Sequence, residues 1–317
     1  FKEKYSLPIA DSELKELPYL TFKEGSTELE YLMERRNKLG GFIPSRRTKT
    51  TPLDVPALAD FKALLAGTGE GHESSSTMAF VRMLGIIIKD KNVGKRVVPI
   101  VPDESRTFGM EGMFRQLGIW SQVGQLYTPQ DAEQLMYYKE DKHGQVLQEG
   151  INEAGGMSDW IAAGTAYSAH GVPMIPFYIF YSMFGFQRVA DLIWAAGDQC
   201  TRGFLLGATA GRTTLNGEGL QHEDGHSQVF AATVPNCVSY DPTYAYEVAV
   251  IIQDGMKRMY VDQENVFYYI TVMNENYEQP ALPNGAEEDI LKGMYLFKEG
   301  AKSKAPRVQL IGSGTIF

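Results

Sequence analysis

From Ala57 onward, short apolar runs alternate with longer stretches in which apolar residues recur at helical spacing. The predicted strands are Val97–Val101, Met174–Phe180, Phe204–Ala208, Cys237–Tyr240 and Val266–Val272. The predicted helices cover residues 57–66, 75–91, 152–169, 186–200 and 243–260. Strands separated by helices of this length favour βαβ units, which build a parallel sheet buried on both faces. We therefore predict a doubly wound α/β fold, with a mainly parallel sheet and helices on both faces.

The two ends of the chain follow a different pattern. Residues 1–55 are rich in Lys, Glu, Arg, Pro and Thr, with one helical stretch around Leu29 to Leu39, and read as an extended linker. Near the other end, the strand-like run Val308–Ile311 has no later element to pack against. We predict a linker over 1–55, an α/β domain over 56–285, and a connector over 286–317 that carries the first strand of a further domain. The sequence then reads as part of a longer protein.

The composition narrows the class of partner. The formal net charge of -9 is spread along the chain, which argues against a general affinity for nucleic acid or anionic membranes. The most apolar stretch, residues 172–186, is too short to span a bilayer as a helix, and we interpret it as a buried strand that runs into a turn. Cys200 and Cys237 lack the spacing of a zinc knuckle or redox pair, which fits a reducing cytoplasm. Small molecules or proteins are the expected partners.

Polar, glycine-rich segments follow several of the predicted strands. In doubly wound sheets, ligands bind where the strands end, so these segments are the candidate site. Asp103 and Glu104 follow the first strand. Their pattern fits a salt bridge, a helix cap or a place in a ligand pocket, and all three interpretations stay open. Tyr181 and Phe184 follow the second strand and could stack on a flat ring. Glu153 opens a helix of small residues, a position that also suits a glutamate simply because of the helix dipole.

The string from His222 to His226 has the letters of the H-E-x-x-H zinc-hydrolase signature. That signature needs a helix to place both imidazoles on one face. Here Gly225 lies inside the string and Gly217 and Gly219 precede it, so a loop is the favoured structure. A zinc hydrolase that uses His222, Glu223 and His226 is the alternative hypothesis. A non-catalytic dimerisation module is a third.

Several long strings, in this order, resemble the homodimeric first component of the pyruvate dehydrogenase complex, the acetyl-transferring, decarboxylating enzyme. They are Asp103–Gly112, Leu147–Glu153, Tyr181–Arg188, Gly211–His226 and Tyr240–Glu247. The resemblance extends over essentially the whole chain. It implies a transketolase-like subunit of which this chain is the middle domain, the one that binds the pyrimidine ring of thiamin diphosphate.

The resemblance also implies roles for individual residues. Glu153 matches the glutamate that exchanges a proton with the pyrimidine ring nitrogen N1′, and a carboxyl group sheltered among small residues suits that exchange. Phe184 matches the phenylalanine that stacks on the pyrimidine, with Tyr181 beside it, and Arg188 is a further cofactor contact.

Four more residues match positions that line the pyruvate pocket: Asp103, Glu104, Glu218 and His222. Of these, Glu104 is also expected to contact the cofactor, and His222 to donate a proton or orient the substrate. Mg²⁺ and the diphosphate are expected to be held by a domain that this chain lacks, so the chain should not catalyse alone. The implied partners are pyruvate, the lipoyl domain of dihydrolipoyl acetyltransferase and a second copy of the subunit.

Overall fold

The computed structural model describes residues 1–42, 46–102, 105–130, 138–208, 210–211, 222–302, 306–314 and 317. The chain divides into two compact units, Phe1–Arg47 and Thr48–Phe317. The first unit contains a 3-10 turn, Asp11–Glu16, and helix α1, Thr27–Lys38, whose start is capped by the Ser26 side chain accepting from the Leu29 N–H at 3.3 Å. None of its described residues is buried. The helix predicted around residues 29–39 is confirmed.

The second unit contains the remaining helices and the strands. Its helices are α2 Lys62–Leu65, α3 Ser76–Lys89, α4 Gly112–Leu117, α5 Glu153–His170, α6 Ser182–Asp198, α7 Ser227–Ala231, α8 Ala245–Met256 and α9 Glu287–Leu291. Its strands are β1 Glu73–Ser74, β2 Val97–Val101, β3 Ile119–Trp120, β4 Glu140–Asp141, β5 Leu147–Gln148, β6 Ile175–Tyr181, β7 Phe204–Ala208, β8 Cys237–Tyr240, β9 Phe267–Thr271 and β10 Tyr277–Glu278.

Six of these strands form one parallel sheet in the order β5-β2-β6-β7-β9-β8. Along β6, Phe177 and Ile179 join a core that includes side chains of α3 and α8, whereas Tyr178 and Phe180 join a second core that includes side chains of α5 and α6. Because successive side chains of a strand point to opposite faces, the two cores lie on the two faces of the sheet. The predicted doubly wound α/β architecture is confirmed.

The junction between β6 and α6 differs from the prediction. The sequence predicts that the strand within residues 172–186 runs into a turn and that the next helix begins at residue 186, but α6 begins at Ser182, directly after β6 ends. Gly185 suggested a turn, yet it is helical: a Cβ at this position would collide with the Phe180 ring. Glycine is needed there for close packing and not for chain reversal. No described helix is long and apolar enough to cross a membrane.

The strand predicted at Val308–Ile311 is not formed. These residues have no regular secondary structure and are largely exposed, at 82 % for Val308 and 89 % for Leu310. A strand exists only through hydrogen bonds to a neighbouring strand, and none of the described residues pairs with this run. The sequence pattern identified an apolar segment correctly but not its partner.

Helix α5 packs closely against β6 at Gly156. A Cβ built there would lie 2.6 Å from Cζ and 2.7 Å from Oη of Tyr178, which is closer than van der Waals contact allows. Gly85, inside α3, is the matched comparison, because a Cβ there has no atom within 4 Å.

We predict opposite effects of alanine at these two helical glycines. Gly156→Ala should lower the free energy of unfolding by about 1–3 kcal/mol, because the Tyr178 ring has to move. Gly85→Ala should raise it by roughly 0.5–1 kcal/mol, because alanine has the higher helix propensity. Urea unfolding followed by tryptophan fluorescence measures both. Equal effects of the two substitutions would contradict this account of the packing.

A buried carboxyl group joins α8 to the segment after α9. Glu247 is 8 % exposed; Tyr295 Oη donates to its Oε1 at 2.6 Å, and the Thr243 N–H donates to its Oε2 at 2.7 Å. Burial raises the pKa of Glu247 above its usual value, although the hydrogen bonds from Tyr295 and Thr243 oppose this. The folded chain therefore binds the Glu247 proton more tightly than the unfolded chain does.

We predict that this carboxyl group makes stability fall as the pH rises. Between the unfolded and the folded pKa of Glu247 the native state holds more protons, so the free energy of unfolding decreases with pH across that interval. Glu247→Gln removes this component, and the wild-type chain should lose stability relative to it between acidic and neutral pH. Tyr295→Phe deletes a hydrogen bond that lowers the pKa, so its loss should extend to higher pH. Melting temperatures at several pH values test this, and a pH-independent difference between wild type and Glu247→Gln would refute it.

Candidate functional site

The candidate site lies at the edge of the sheet where the parallel strands end. Val101 pairs with Gln148, and Tyr181 pairs with Ala208, so the chain leaves β2, β5, β6 and β7 on one side of the molecule. The Glu149 N–H also donates to the Val101 carbonyl at 3.0 Å, which holds the start of the β5–α5 connection against the end of β2. The polar segments chosen from sequence thus converge.

Glu153 is the first residue of α5, and the Asn152 side chain caps the helix by accepting from the Gly155 N–H at 3.3 Å. The Glu153 side chain is only 15 % exposed. Its Oε1 accepts a hydrogen bond from Arg188 Nη1 at 2.6 Å, and Arg188 belongs to α6. Such a charge-assisted contact is stronger than a neutral hydrogen bond, and it links the starts of two helices.

The same arginine covers an aromatic ring. Phe184 and Arg188 are four residues apart on α6 and therefore share one face of the helix. The Arg188 Cζ lies 4.4 Å from the centroid of the Phe184 ring, within the range of a cation–π contact. The guanidinium group thus contacts a carboxylate and a ring face at once. Arg188 remains 51 % exposed at its side chain.

His222 completes the aromatic cluster. Its ring lies 4.9 Å from the centroid of Tyr181 and 4.9 Å from that of Phe184, edge-on to both. Tyr181 and Phe184 are themselves 6.1 Å apart in a T-shaped arrangement. The five predicted residues that the structure describes are therefore contiguous: Glu153, Tyr181, Phe184, Arg188 and His222. Asp103, Glu104 and Glu218 lie outside the described residues.

Phe108 also belongs to the cluster, although it was not chosen from sequence. Its ring is fully buried and lies 5.4 Å from that of Tyr181. The turn that carries it is held by the Met110 N–H donating to the Ser105 carbonyl at 2.8 Å, and by Asn274 Nδ2 donating to the Thr107 carbonyl at 2.8 Å. Phe108 lies within the Asp103–Gly112 string, and that string was the sequence signal that could have identified it. A single phenylalanine, however, is ordinarily interpreted as a core residue.

Behind Glu153 lies a group of acids that sequence reasoning also missed. Burial raises the pKa of Asp159, and the neighbouring carboxylate of Glu149 raises it further. Tyr178 is 1 % exposed; burial raises its pKa, and the charges of Glu153, Glu149 and Asp159 add to the effect. Because like charges repel at short range, these carboxyl groups make ionisation of the Tyr178 hydroxyl unfavourable.

The geometry does not support a zinc hydrolase. The predicted loop is confirmed: residues 223–226 are not helical, and α7 begins only at Ser227, so His222 and His226 do not share a helix face. His226 Nε2 lies 3.1 Å from Gln187 Nε2, and its ring packs on Phe230, whereas His222 packs on Tyr181. Among the residues that the structure describes, no three His, Cys, Asp or Glu side chains are grouped as a metal site.

The arrangement defines an α/β domain with an acid and an aromatic face at the carboxyl edge of its sheet. Solved transketolases share this fold. One from Pichia stipitis superposes with a TM-score of 0.54 at 13 % identity, covering 87 % of this chain and 34 % of that one. At this identity the likeness shows the fold alone.

The sequence comparisons are more specific. Residues 53–280 match the family model described as the pyruvate dehydrogenase E1 component middle domain. Proteins named pyruvate dehydrogenase E1 component are 67 % identical over 100 % of this chain in Cupriavidus necator, 64 % over 100 % in Pseudomonas aeruginosa, and 59 % over 99 % in Escherichia coli. The chain belongs to the pyruvate dehydrogenase E1 component family. It spans 36 % of the length of the Cupriavidus necator relative.

Proposed function

We propose that this chain forms the pyrimidine-side wall of a thiamin diphosphate site, in an enzyme that oxidatively decarboxylates pyruvate and passes the acetyl group to a lipoyl group. The observation that carries the proposal is the contiguous cluster of Glu153, Arg188, Phe184 and His222 at the carboxyl edge of the sheet. Membership of the pyruvate dehydrogenase E1 component family supports it.

The residues present fit an aminopyrimidine ring. The guanidinium group of Arg188 is flat, donates an N–H to the Glu153 carboxylate and lies over the Phe184 ring. One flat group that donates an N–H can therefore contact both side chains. A pyrimidine protonated at its ring nitrogen is likewise flat and carries an N–H. Arg188 is half exposed at its side chain, so it can turn towards solvent when another group takes these contacts.

Each side chain has a distinct part in this proposal. Bound thiamin diphosphate supplies the nucleophilic carbon that adds to the carbonyl group of a 2-oxo acid. Glu153 holds and returns a proton at its carboxyl oxygen, where a ring nitrogen is bound. Phe184 and Tyr181 fix the plane of the ring, and the buried Phe108 behind Tyr181 supports that plane. His222 contacts the rings of Tyr181 and Phe184. In this proposal it holds a proton where the substrate binds.

The finer features of the proposal come from the family. Asp103, Glu104 and Glu218 line the pyruvate pocket, and Glu104 also contacts the cofactor. Mg²⁺ and the diphosphate are bound by a part of the enzyme outside this chain. The enzyme is a cytoplasmic homodimer whose acetyl acceptor is the lipoyl domain of dihydrolipoyl acetyltransferase.

The test is Glu153→Gln in the full-length enzyme. The amide keeps the size of the side chain but cannot exchange a proton, so turnover of pyruvate should fall about 100-fold or more. Glu264→Gln is the matched control: it also removes a carboxylate paired with an arginine, Arg258 at 2.7 Å, but it lies before β9 and so at the opposite edge of the sheet. The control should retain wild-type turnover.

Two measurements make the result decisive. Calorimetric titration with thiamin diphosphate and Mg²⁺ shows whether each variant still binds the cofactor, and urea unfolding shows whether it is folded. A folded Glu153→Gln enzyme that turns over pyruvate at the wild-type rate would eliminate the proposed role of this carboxyl group. Failure of the wild-type enzyme to bind thiamin diphosphate would eliminate the proposed function as a whole.

A further inference from the structure

One carboxylate in the segment 222–226 is fully buried, although the segment is polar. Asp224 is 0 % exposed, whereas its neighbour Glu223 is exposed. A buried charge is costly unless hydrogen bonds compensate for the lost water. The partners of this carboxylate therefore identify what it holds in place.

The carboxylate receives hydrogen bonds from the residues that follow it. Its Oδ1 accepts from the N–H groups of His226 at 3.2 Å and Ser227 at 3.0 Å, and its Oδ2 accepts from Ser227 Oγ at 2.5 Å. Burial by itself raises the pKa of Asp224, but the hydrogen bonds from Ser227 and from the His226 N–H outweigh it and hold the pKa below its usual value. The group is a charged anchor at neutral pH.

Asp224 also joins separate parts of the chain. Its backbone N–H donates to the Gly211 carbonyl at 3.2 Å. The anchor therefore ties the turn 222–226 to Gly211, on the chain that leaves β7.

His222 stands two residues before this anchor, and its ring lies 4.9 Å from each of Tyr181 and Phe184. The position of that ring depends on the path of the turn that carries it. We propose that Asp224 is a positioning residue, which holds His222 against the aromatic face of the candidate site without touching the reactants itself. This inference rests on the proposed function, because it assigns a reaction to the site that His222 serves.

A purely structural role makes a different prediction. If Asp224 only capped the short helix α7, its loss would weaken the fold and lower activity whether or not His222 were present. If it acts through His222, its loss should matter only while the imidazole is there. The two readings are separated by combining the substitutions, since coupled residues have non-additive effects.

The experiment is a double-mutant cycle in the full-length enzyme, with Asp224→Asn, His222→Gln and the combination. Asp224→Asn keeps an acceptor for the backbone N–H groups but removes the charge. It should lower kcat/KM for pyruvate by about 10- to 100-fold, with most of the loss in kcat, because a displaced catalytic group loses its alignment. In the His222→Gln background the same change should alter kcat/KM by less than about twofold. Glu223→Gln, which removes an exposed charge from the same turn, should match the wild type.

Binding and stability are measured on the same proteins. The dissociation constant for thiamin diphosphate with Mg²⁺ should show the same coupling between Asp224 and His222, and the urea midpoint reports any loss of fold. If Asp224→Asn does not fold, Ser227→Ala replaces it, because it removes only the donor to Oδ2. Its smaller loss of kcat/KM should likewise vanish in the His222→Gln background.

The possible outcomes are distinct. Multiplicative losses in the double mutant, or an unchanged kcat/KM in folded Asp224→Asn, overturn the positioning role. Glu153→Gln is run in parallel: if it is inactive while Asp224→Asn is unaffected, only this inference fails. If Glu153→Gln is fully active, the proposed function fails first.

Discussion

The candidate site depends on the packing of the start of α6 against the end of β6. Because Gly185 lets the helix approach the Phe180 ring, α6 begins immediately after Tyr181, with no intervening loop. Phe184 and Arg188 are thereby brought to the carboxyl edge of the sheet, where Arg188 reaches the Glu153 carboxylate on α5 at 2.6 Å. A longer connection between β6 and α6 would move Phe184 and Arg188 away from Glu153. The close packing at Gly185 is therefore what brings the Glu153 carboxyl group near the Phe184 ring.

Three sheltered carboxyl groups of this domain are accommodated in three different ways. Glu153 is met by the half-exposed guanidinium group of Arg188. Asp224 is met by backbone and hydroxyl donors, which hold it charged and fixed. Glu247 is met by a tyrosine and one backbone N–H, and its pKa is raised, which favours the proton-bound form. Of the three, only Glu153 is paired with a half-exposed cation, a contact that a ligand carrying an N–H can replace.

Sequence reasoning worked best where a single physical signal decided the outcome. Strands β2, β7 and β8 have the predicted bounds, and for β2 and β7 the reason is that an apolar run between polar segments fits a strand buried on both faces. It failed between Tyr181 and residue 186, where glycine serves close packing and not a turn, and the strand predicted at 308–311 is not formed because no described segment pairs with it. The contiguity of Glu153 with Phe184 was expected only through the family resemblance. Asp224 and Phe108 were overlooked because burial, and not residue type, makes them important.

The charges at this edge also indicate which end of the cofactor it can receive. Among the described residues, Arg188 contacts the aromatic face and is paired with Glu153, and the charges of Glu149 and Asp159 act on the nearby Tyr178. A diphosphate carries several negative charges and would be repelled by such a surrounding. A flat, weakly basic ring that donates an N–H gains from the same carboxylates. Under the proposed function, these charges suit the pyrimidine end of thiamin diphosphate, and we expect cationic groups or a metal ion elsewhere in the enzyme to hold the diphosphate.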